Sequence, residues 1–318
     1  MQFTTLGRTG LRVSVAGLGC GGHSRLGQSY GNSTADSVAV VSAALDAGIN
    51  FIDTAAAYRT EQIVGEALQG RRESVVISTK SGVQKQDRGT REMRPIAPAE
   101  LHKRLDDSLS RLRTDYVDVY NLHGVVESEL DYAHNELLPV LQAQQQQGKI
   151  RFLGITERFI ADTGHAMLQQ ALQSDVWDVV MVGFNLLNPS ARERVLNRTQ
   201  AQNVGVQDMF AVRRALSDPE ALVEEIQIAV ATGQVDADAV DLKDPLGSIL
   251  EQSGAASVVE LAYRFCRHEP GVQVVLTGTG KIEHLLHNVD AINGPPLPDQ
   301  TQCDLADLFG RVDCLSGN

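Results

Sequence analysis

Four ionisable side chains lie at or just after the ends of three successive predicted strands. Asp53 ends the second strand, and Tyr58 follows it in the segment FIDTAAAYRTEQIVGEAL. Lys80 ends the third strand, in VVISTK, and His123 closes the fourth, in DVYNLHG. In a parallel barrel the carboxyl ends of the strands share one face, where active sites lie. One such lysine or histidine is usually a surface or structural residue, whereas four together predict a catalytic site.

These residue types suit proton transfer to a carbonyl oxygen. A tyrosine phenol has an unperturbed pKa of about 10, and we expect the Lys80 ammonium to lower it. Asp53 would hold Lys80 charged and in position, and His123 would donate a hydrogen bond that orients the substrate oxygen. No side chain supplies a hydride, so carbonyl reduction at this site requires a cofactor.

Short runs rich in Val and Ile alternate with amphipathic segments along the chain. The runs lack clean polar alternation, which is typical of parallel strands covered on both sides. Helices are predicted to begin near Ser33, Pro98 and Ser257, and the long interval before the last strand should hold extra helices. This alternation fits either a closed barrel or a doubly wound open sheet. The predicted strands are 15–18, 49–53, 75–79, 116–120, 150–155, 179–182, 204–207 and 272–276.

Composition limits the classes of partner and the compartment. The 318 residues include 28 basic and 40 acidic ones, for a net charge of -12, which argues against a nucleic-acid or anionic-membrane surface. No apolar run approaches the roughly 18 residues of a membrane span, and no signal peptide is visible. Four scattered cysteines predict free thiols in a reducing cytoplasm. His23 and His123 have no partners at metal-ligand spacing, and the other histidines lie mostly in predicted helices away from the catalytic rim. We therefore expect a cytoplasmic protein without a metal.

The chain resembles the aldo-keto reductase superfamily from end to end. The blocks that carry the resemblance are LGRTGLRVSVAGLGCGG, FIDTA…Y…E…GEAL, SLSRLRTDYVDVYNLHG, GKIRFLGIT and LTGTGKIEHLLHNV, in family order. The family's catalytic Asp, Tyr, Lys and His correspond to Asp53, Tyr58, Lys80 and His123. The resemblance implies a (β/α)8 TIM barrel over residues 1–318 as one domain. An N-terminal β-hairpin, built around Gly7 to Gly10, would plug one end of this barrel.

The resemblance also implies an NAD(P)H-dependent enzyme. It would reduce an aldehyde or ketone, or oxidise a sugar or alcohol in reverse, with Tyr58 as general acid and base. NAD(P)H lies extended across the barrel mouth in this family, and the chain has no Rossmann fingerprint. The turn Gly278, Thr279, Gly280 and Lys281 would bring backbone N–H groups and a helix N-terminus to phosphate. Without the family match, an ordinary glycine-rich turn would explain these residues equally well.

Other cofactor contacts follow from the family pattern, and several depart from it. His284 and Asn288 would contact the adenine. Lys281 would replace an arginine that many relatives carry near position 280, so NADPH is favoured over NADH. The remaining positions implied for the cofactor are Thr156 and Glu157, where relatives carry Ser-Asn, Met181 in place of Gln, Phe210 (or Met209) in place of a stacking Tyr, and the pair Arg213 and Arg214 for the pyrophosphate. That arginine pair is equally well explained as an exposed start of a helix.

Two alternatives to a reductase remain at this level. One is a regulatory subunit that binds NADP(H) with little turnover, which the altered nicotinamide positions keep open. The other is Schiff-base chemistry at Lys80, which needs a neutral lysine and is opposed by Asp53. The substrate is expected to be a small carbonyl compound or sugar, selected by loops at 82–98, 124–134 and 217–254. The sequence leaves the particular substrate and the oligomeric state open.

Overall fold

The chain begins with a short antiparallel hairpin, which leads into the main sheet. The structure is a computed structural model that describes residues 1–87 and 89–318. The hairpin pairs β1 (Phe3–Thr5) with β2 (Arg12–Ser14). Gly7, at its turn, has a φ of 47°, and a Cβ there would overlap the backbone of Gly205. Only glycine allows the hairpin backbone to lie this close to Gly205, and this close contact packs the hairpin against the main sheet.

Eight parallel strands form a closed barrel. The barrel strands, with one intervening hairpin, are β3 (Ala16–Gly19), β4 (Phe51–Asp53), β5 (Val76–Gly82), the hairpin β6 (Gln84–Gln86) and β7 (Met93–Pro95), β8 (Val117–Val125), β9 (Ile150–Glu157), β10 (Val179–Gly183), β11 (Gly205–Met209) and β12 (Val274–Thr277). The last strand, β12, pairs with β3 and closes the barrel. The predicted closed barrel is confirmed over the open sheet, and each predicted strand overlaps a strand of the barrel. Two strands are longer than predicted, since β5 continues past residue 79 to Gly82 and β8 past residue 120 to Val125.

Helices surround the barrel and occupy the intervals between its strands. They are α1 (Thr34–Asp46), α2 (Glu61–Ala67), α3 (Pro98–Leu112), α4 (Glu127–Tyr132), α5 (Leu138–Gln146), α6 (Ala166–Ala171), α7 (Asn197–Gln202), α8 (Pro219–Ala231), α9 (Gly247–Ser253), α10 (Val258–Arg267), α11 (Ile282–Ile292) and α12 (Asp299–Phe309). Three of them, α8, α9 and α10, lie between β11 and β12. The predicted extra helices before the last strand are therefore present.

The predicted helix starts are explained by their caps. The Ser33 hydroxyl accepts from the Asp36 N–H at 3.1 Å, and the Asp36 carboxylate accepts from the Ser33 N–H at 3.0 Å. Pro98 occupies the first turn of α3, and the Ser257 hydroxyl accepts from the Glu260 N–H at 3.2 Å. Each side-chain cap contributes about 1 kcal/mol to helix stability.

The barrel interior has an apolar floor that the hairpin covers. Inward-facing side chains of five strands form one cluster with three residues of the hairpin. The members of the cluster are Phe51, Val76, Val119, Val179 and Val274 from the barrel and Leu6, Leu11 and Val13 from the hairpin. The expected plug at one end of the barrel is confirmed, and the opposite, carboxyl end is left for the site.

One of the predicted variable segments contains regular structure that was not expected. The segment 82–98 holds β6 and β7, while 217–254 holds α8 and α9, which are among the predicted extra helices. β6 and β7 were not predicted because their residues are largely polar, so no apolar alternation marks them. Among the described residues, no helix is both long and apolar enough to cross a membrane. All four cysteines are free thiols, as expected.

Candidate active site

A buried ion pair joins the carboxyl ends of β4 and β5. The Lys80 side chain is fully buried, and its Nζ binds Asp53 Oδ1. The same carboxylate oxygen accepts the Ser78 hydroxyl at 3.1 Å. Burial raises the pKa of Asp53, while the Lys80 ammonium and the Ser78 hydroxyl act to lower it. The structure thus brings the predicted Asp53 and Lys80 together and holds them out of water.

Tyr58 and His123 meet above this ion pair. Tyr58 ends a short 3-10 turn after β4, and its ring packs on Gly21, where a Cβ would overlap the phenol. The Tyr58 hydroxyl lies 3.2 Å from His123 Nε2, and the two rings meet edge to face at 89°. Lys80 Nζ lies 5.3 Å from the centre of the Tyr58 ring. All four predicted residues therefore form one cluster on the carboxyl face of the barrel.

Burial controls the protonation states of Tyr58 and His123. It raises the pKa of the Tyr58 phenol, the Asp53 carboxylate adds to the increase, and the Arg213 guanidinium opposes it. This direction is opposite to the expected lowering by Lys80, because loss of water around the phenol outweighs nearby positive charge. Burial, followed by the charges of Lys80 and Arg158, lowers the pKa of His123 to about 3. At neutral pH the site therefore holds a protonated phenol beside a neutral imidazole.

Three buried polar side chains below the ion pair were not predicted as part of the site. Ser78, Asn121 and Gln207 lie inside the barrel, on β5, β8 and β11, and none of them is exposed. A sequence signal existed for two of them. Side chains alternate across a strand, so Ser78 shares the face of Lys80, and Asn121 shares the face of His123.

The ends of β9 and β10 carry three of the implied nicotinamide positions. Thr156 is buried, and its hydroxyl accepts from the Gly124 N–H at 2.7 Å. Met181 lies opposite Thr156 in the β9–β10 register and is also buried. The structure therefore places these two side chains next to each other at the same level of the barrel.

Glu157, the third of these positions, is engaged in an internal pair. Its two carboxylate oxygens lie 3.0 Å from His165 Nδ1, and one of them accepts from the Gly183 N–H at 2.7 Å. Both side chains are fully buried. Burial raises the pKa of Glu157, and the charge of His165 opposes this increase. The Glu157 carboxylate thus connects the loop after β9 to β10 and is fully engaged within the protein. The partner, His165, was not predicted.

The segment after β11 places Arg213 and Arg214, the pair implied for the pyrophosphate, in different surroundings. Phe210 has a φ of 74°, which is strained for a bulky residue, and packs edge to face on Phe159 at 5.5 Å. The Arg213 guanidinium stacks on Phe210 at 4.2 Å and binds the Asn318 side chain. Arg214 is exposed and pairs with Glu224 at 3.3 Å. Arg213 is therefore near the catalytic cluster, whereas Arg214 belongs to a surface ion pair.

The turn between β12 and α11 has the properties of an anion site. Among the described residues, the backbone N–H groups of Thr279 and Gly280 have no hydrogen-bond acceptor, and α11 begins two residues later. A Cβ at Gly280 would overlap the backbone of Gly27, so no side chain fits at this position. Lys281 is exposed beside the turn. Free donors, a helix N-terminus and a lysine fit an anionic group such as a cofactor phosphate.

The adenine positions lie on the following helix. His284 is exposed on α11, and Asn288 is half-buried. The Asn288 amide donates to the Thr277 hydroxyl at 2.9 Å, and the same hydroxyl accepts from Tyr263 at 2.9 Å. Asn288 therefore connects α11 to the end of β12.

Comparison with known proteins agrees with this architecture. The model of the Aldo/keto reductase family matches residues 18–307. The uncharacterized oxidoreductase YqkF of Bacillus subtilis (strain 168) is 27% identical over 304 residues, which cover 94% of each chain. L-galactose dehydrogenase of Arabidopsis thaliana is 37% identical over 163 residues, 49% of this chain and 48% of that protein. The aldo-keto reductase AKR11C1 from Bacillus halodurans, in its holo form, superimposes with a TM-score of 0.73 at 25% identity, covering 98% of this chain and 97% of that one.

These relatives are oxidoreductases, and they lend no support to the alternative of a regulatory subunit with little turnover. Members of the matched family use nicotinamide cofactors, which contain phosphate groups, and the turn after β12 has the properties of an anion site. The match spans nearly the whole barrel and includes all four clustered residues. The chain is therefore an enzyme and belongs to the aldo/keto reductase family.

Proposed function

We propose that the protein is an NADPH-dependent reductase of an aldehyde or ketone, able to oxidise a sugar or alcohol in reverse, with Tyr58 as the proton donor. The observation that carries this proposal is the contact between the Tyr58 hydroxyl and His123 Nε2 at 3.2 Å, directly above the buried Lys80–Asp53 pair. A protonated acid, a neutral hydrogen-bonding group and a fixed positive charge converge where a carbonyl oxygen would be reduced.

Each residue of the cluster has a distinct part in the proton transfer. The phenol of Tyr58 is protonated at neutral pH because the ordinary tyrosine pKa is about 10, and burial raises this pKa further. The phenol therefore has a proton to donate to the substrate oxygen. Neutral His123 orients that oxygen, and an oxygen bound beside both groups lies within hydrogen-bond reach of each. The Lys80 ammonium, 5.3 Å from the ring, stabilises the phenolate left behind. Bound nicotinamide cofactor supplies the hydride.

The cofactor would be held by the rim from β9 to α11. Backbone N–H groups of the turn 278–280 would bind phosphate, and Arg213, which stacks on Phe210, would bind the pyrophosphate. Thr156 and Met181 would border the nicotinamide, and His284 and Asn288 the adenine. Glu157 and Arg214 are bound to His165 and Glu224, so we propose no direct cofactor contact for them.

Lys281 is the residue we propose to select NADPH. A side chain at position 280 would overlap Gly27, so the positive charge for a 2′-phosphate must come from a neighbouring residue. Lys281→Ala is expected to weaken NADPH binding about tenfold, or about 1.4 kcal/mol, and to change NADH binding less than about twofold. Fluorescence titration of both cofactors measures this difference. Lys103→Ala, which removes an exposed lysine that pairs with Asp107 on α3, is the matched control. Equal weakening of both cofactors would show that Lys281 does not bind the 2′-phosphate.

Stopped-flow absorbance tests the proposed reaction itself. The protein is loaded with NADPH and mixed with a panel of aldehydes, ketones and aldose sugars, and oxidation of NADPH is followed for each compound. We expect oxidation with at least one class of the panel, and repetition with NADH should give a slower reaction. Tight binding of NADPH with no oxidation by any member of the panel would reject the reductase and favour the regulatory subunit.

A further inference from the structure

A layer of buried polar side chains separates the apolar floor of the barrel from the catalytic cluster. It consists of Ser78, Asn121 and Gln207, and we call it the polar layer. Polar groups in a barrel interior are costly to bury unless they are hydrogen-bonded. The layer lies directly against Asp53, because Ser78 Oγ is 3.1 Å from Asp53 Oδ1. The polar layer is therefore hydrogen-bonded directly to the Asp53–Lys80 ion pair that lies below Tyr58.

The contacts of Asn121 determine which groups in the polar layer donate and which accept. Its Nδ2 lies 3.0 Å from Ser78 Oγ and 3.2 Å from the Thr79 carbonyl oxygen. A carbonyl oxygen only accepts, so the nitrogen of the amide must face it, and the second amide proton then points to Ser78. Rotation of the amide by a half-turn would place two oxygens in contact. Ser78 is consequently an acceptor from Asn121.

The Ser78 hydroxyl must then donate its single hydrogen bond to another group. Two acceptors are within reach, Asp53 Oδ1 at 3.1 Å and Gln207 Oε1 at 3.4 Å. The carboxylate is closer and charged, and charge-assisted hydrogen bonds are the stronger ones. Gln207 Nε2 is also 3.4 Å from Ser78 Oγ, so the glutamine can donate instead of accept. Two amides thus donate to Ser78, and Ser78 donates to Asp53.

We propose that Ser78 is a positioning residue of the reductase. It accepts hydrogen bonds from Asn121 and Gln207 and donates one to Asp53, and this last hydrogen bond keeps the carboxylate ionised beside Lys80. This proposal rests on the proposed function, since it concerns the support of Tyr58. The titratable groups that face Asp53 are Lys80 from β5, Tyr58 from the turn after β4 and Cys20 from the end of β3. Lys80 is the cation among them, and the Ser78 hydroxyl is the neutral donor to the carboxylate.

The first test is a titration that does not depend on turnover. Carbon-13 NMR of aspartate-labelled full-length protein follows the Asp53 carboxyl, which is assigned by its loss in Asp53→Asn. Ser78→Ala is expected to raise the titration midpoint of Asp53 by about one pH unit, because a hydrogen bond to the charged form is removed. Ser78→Thr keeps the hydroxyl and should restore the midpoint. Ser81→Ala, a buried serine on the same strand whose hydroxyl contacts Gly82 and Arg104, is the matched control.

The second test separates positioning from general structural damage. With a carbonyl substrate found in the panel, Ser78→Ala should lower kcat about tenfold while KM and the NADPH dissociation constant change less than about twofold. Ser78→Thr should recover kcat, and Ser81→Ala should retain it. An unchanged Asp53 midpoint in Ser78→Ala, or equal impairment of the alanine and threonine variants, would overturn the proposal. If the wild-type protein reduces no substrate, the proposed function fails, and the midpoint alone decides whether Ser78 supports Asp53.

Discussion

Replacement of Tyr58 by phenylalanine is expected to lower kcat about 10³-fold, which corresponds to about 4 kcal/mol of transition-state stabilisation. The variant keeps the aromatic ring that packs on Gly21 but loses the hydroxyl that lies 3.2 Å from His123. The binding of NADPH should change little, since no proposed cofactor contact involves this hydroxyl. Single-turnover oxidation of bound NADPH by an active substrate measures the loss.

Tyr116→Phe is the matched control for this prediction. It removes a phenol hydroxyl before the amino end of β8, on the opposite side of the barrel from the cluster, keeps the ring that stacks on Arg72, and should leave kcat unchanged. Turnover that survives in Tyr58→Phe would show that the proton comes from another group. His123 is the next candidate, and loss of the residual turnover in a Tyr58→Phe, His123→Gln double variant would identify it.

Replacement of Lys80 by methionine should abolish detectable turnover and destabilise the protein by about 3–5 kcal/mol at neutral pH. The methionine fills a similar volume but leaves the Asp53 carboxylate buried without its cation. Loss of Lys80 removes the largest influence that lowers the pKa of Asp53, so this pKa rises further. Thermal or urea unfolding of the variant and the wild type measures the difference.

The loss of stability should depend on pH in a defined direction. Above the ordinary aspartate pKa of about 3.9, the unfolded chain releases the Asp53 proton while the native Lys80→Met protein retains it up to the raised pKa. Between these two values stability falls as pH rises, so the variant should be more destabilised at pH 8 than at pH 5. The Asp53→Asn, Lys80→Met double variant removes the carboxylate and should recover most of the stability. Equal destabilisation at both pH values would contradict a buried carboxylate at Asp53.

Strand positions and the polar residues at strand ends were readable from the sequence because both depend on local spacing. The Val- and Ile-rich runs reflect burial on both faces, and the caps at Ser33 and Ser257 involve residues within three positions of each other. Once a parallel barrel is assumed, residues at the carboxyl ends of neighbouring strands must meet, which is why Asp53, Lys80 and His123 could be grouped in advance. The grouping of these residues therefore follows from their spacing once the barrel, which the family resemblance implied, is given.

The tertiary structure decided the features that depend on how distant segments close on one another. Gly280 packs on Gly27 only because β12 pairs with β3, and Ser78 meets Gln207 only across the closed barrel. The pairing of Glu157 with His165 depends on a loop in which His165 itself has a φ of 62°. The tertiary structure also decided that the pKa of Tyr58 is raised and not lowered, because desolvation depends on the packing around the phenol. The sequence by itself determined which groups can do the chemistry, and the closure of the barrel determined their partners and their charge states, because burial and non-local contacts exist only in the folded chain.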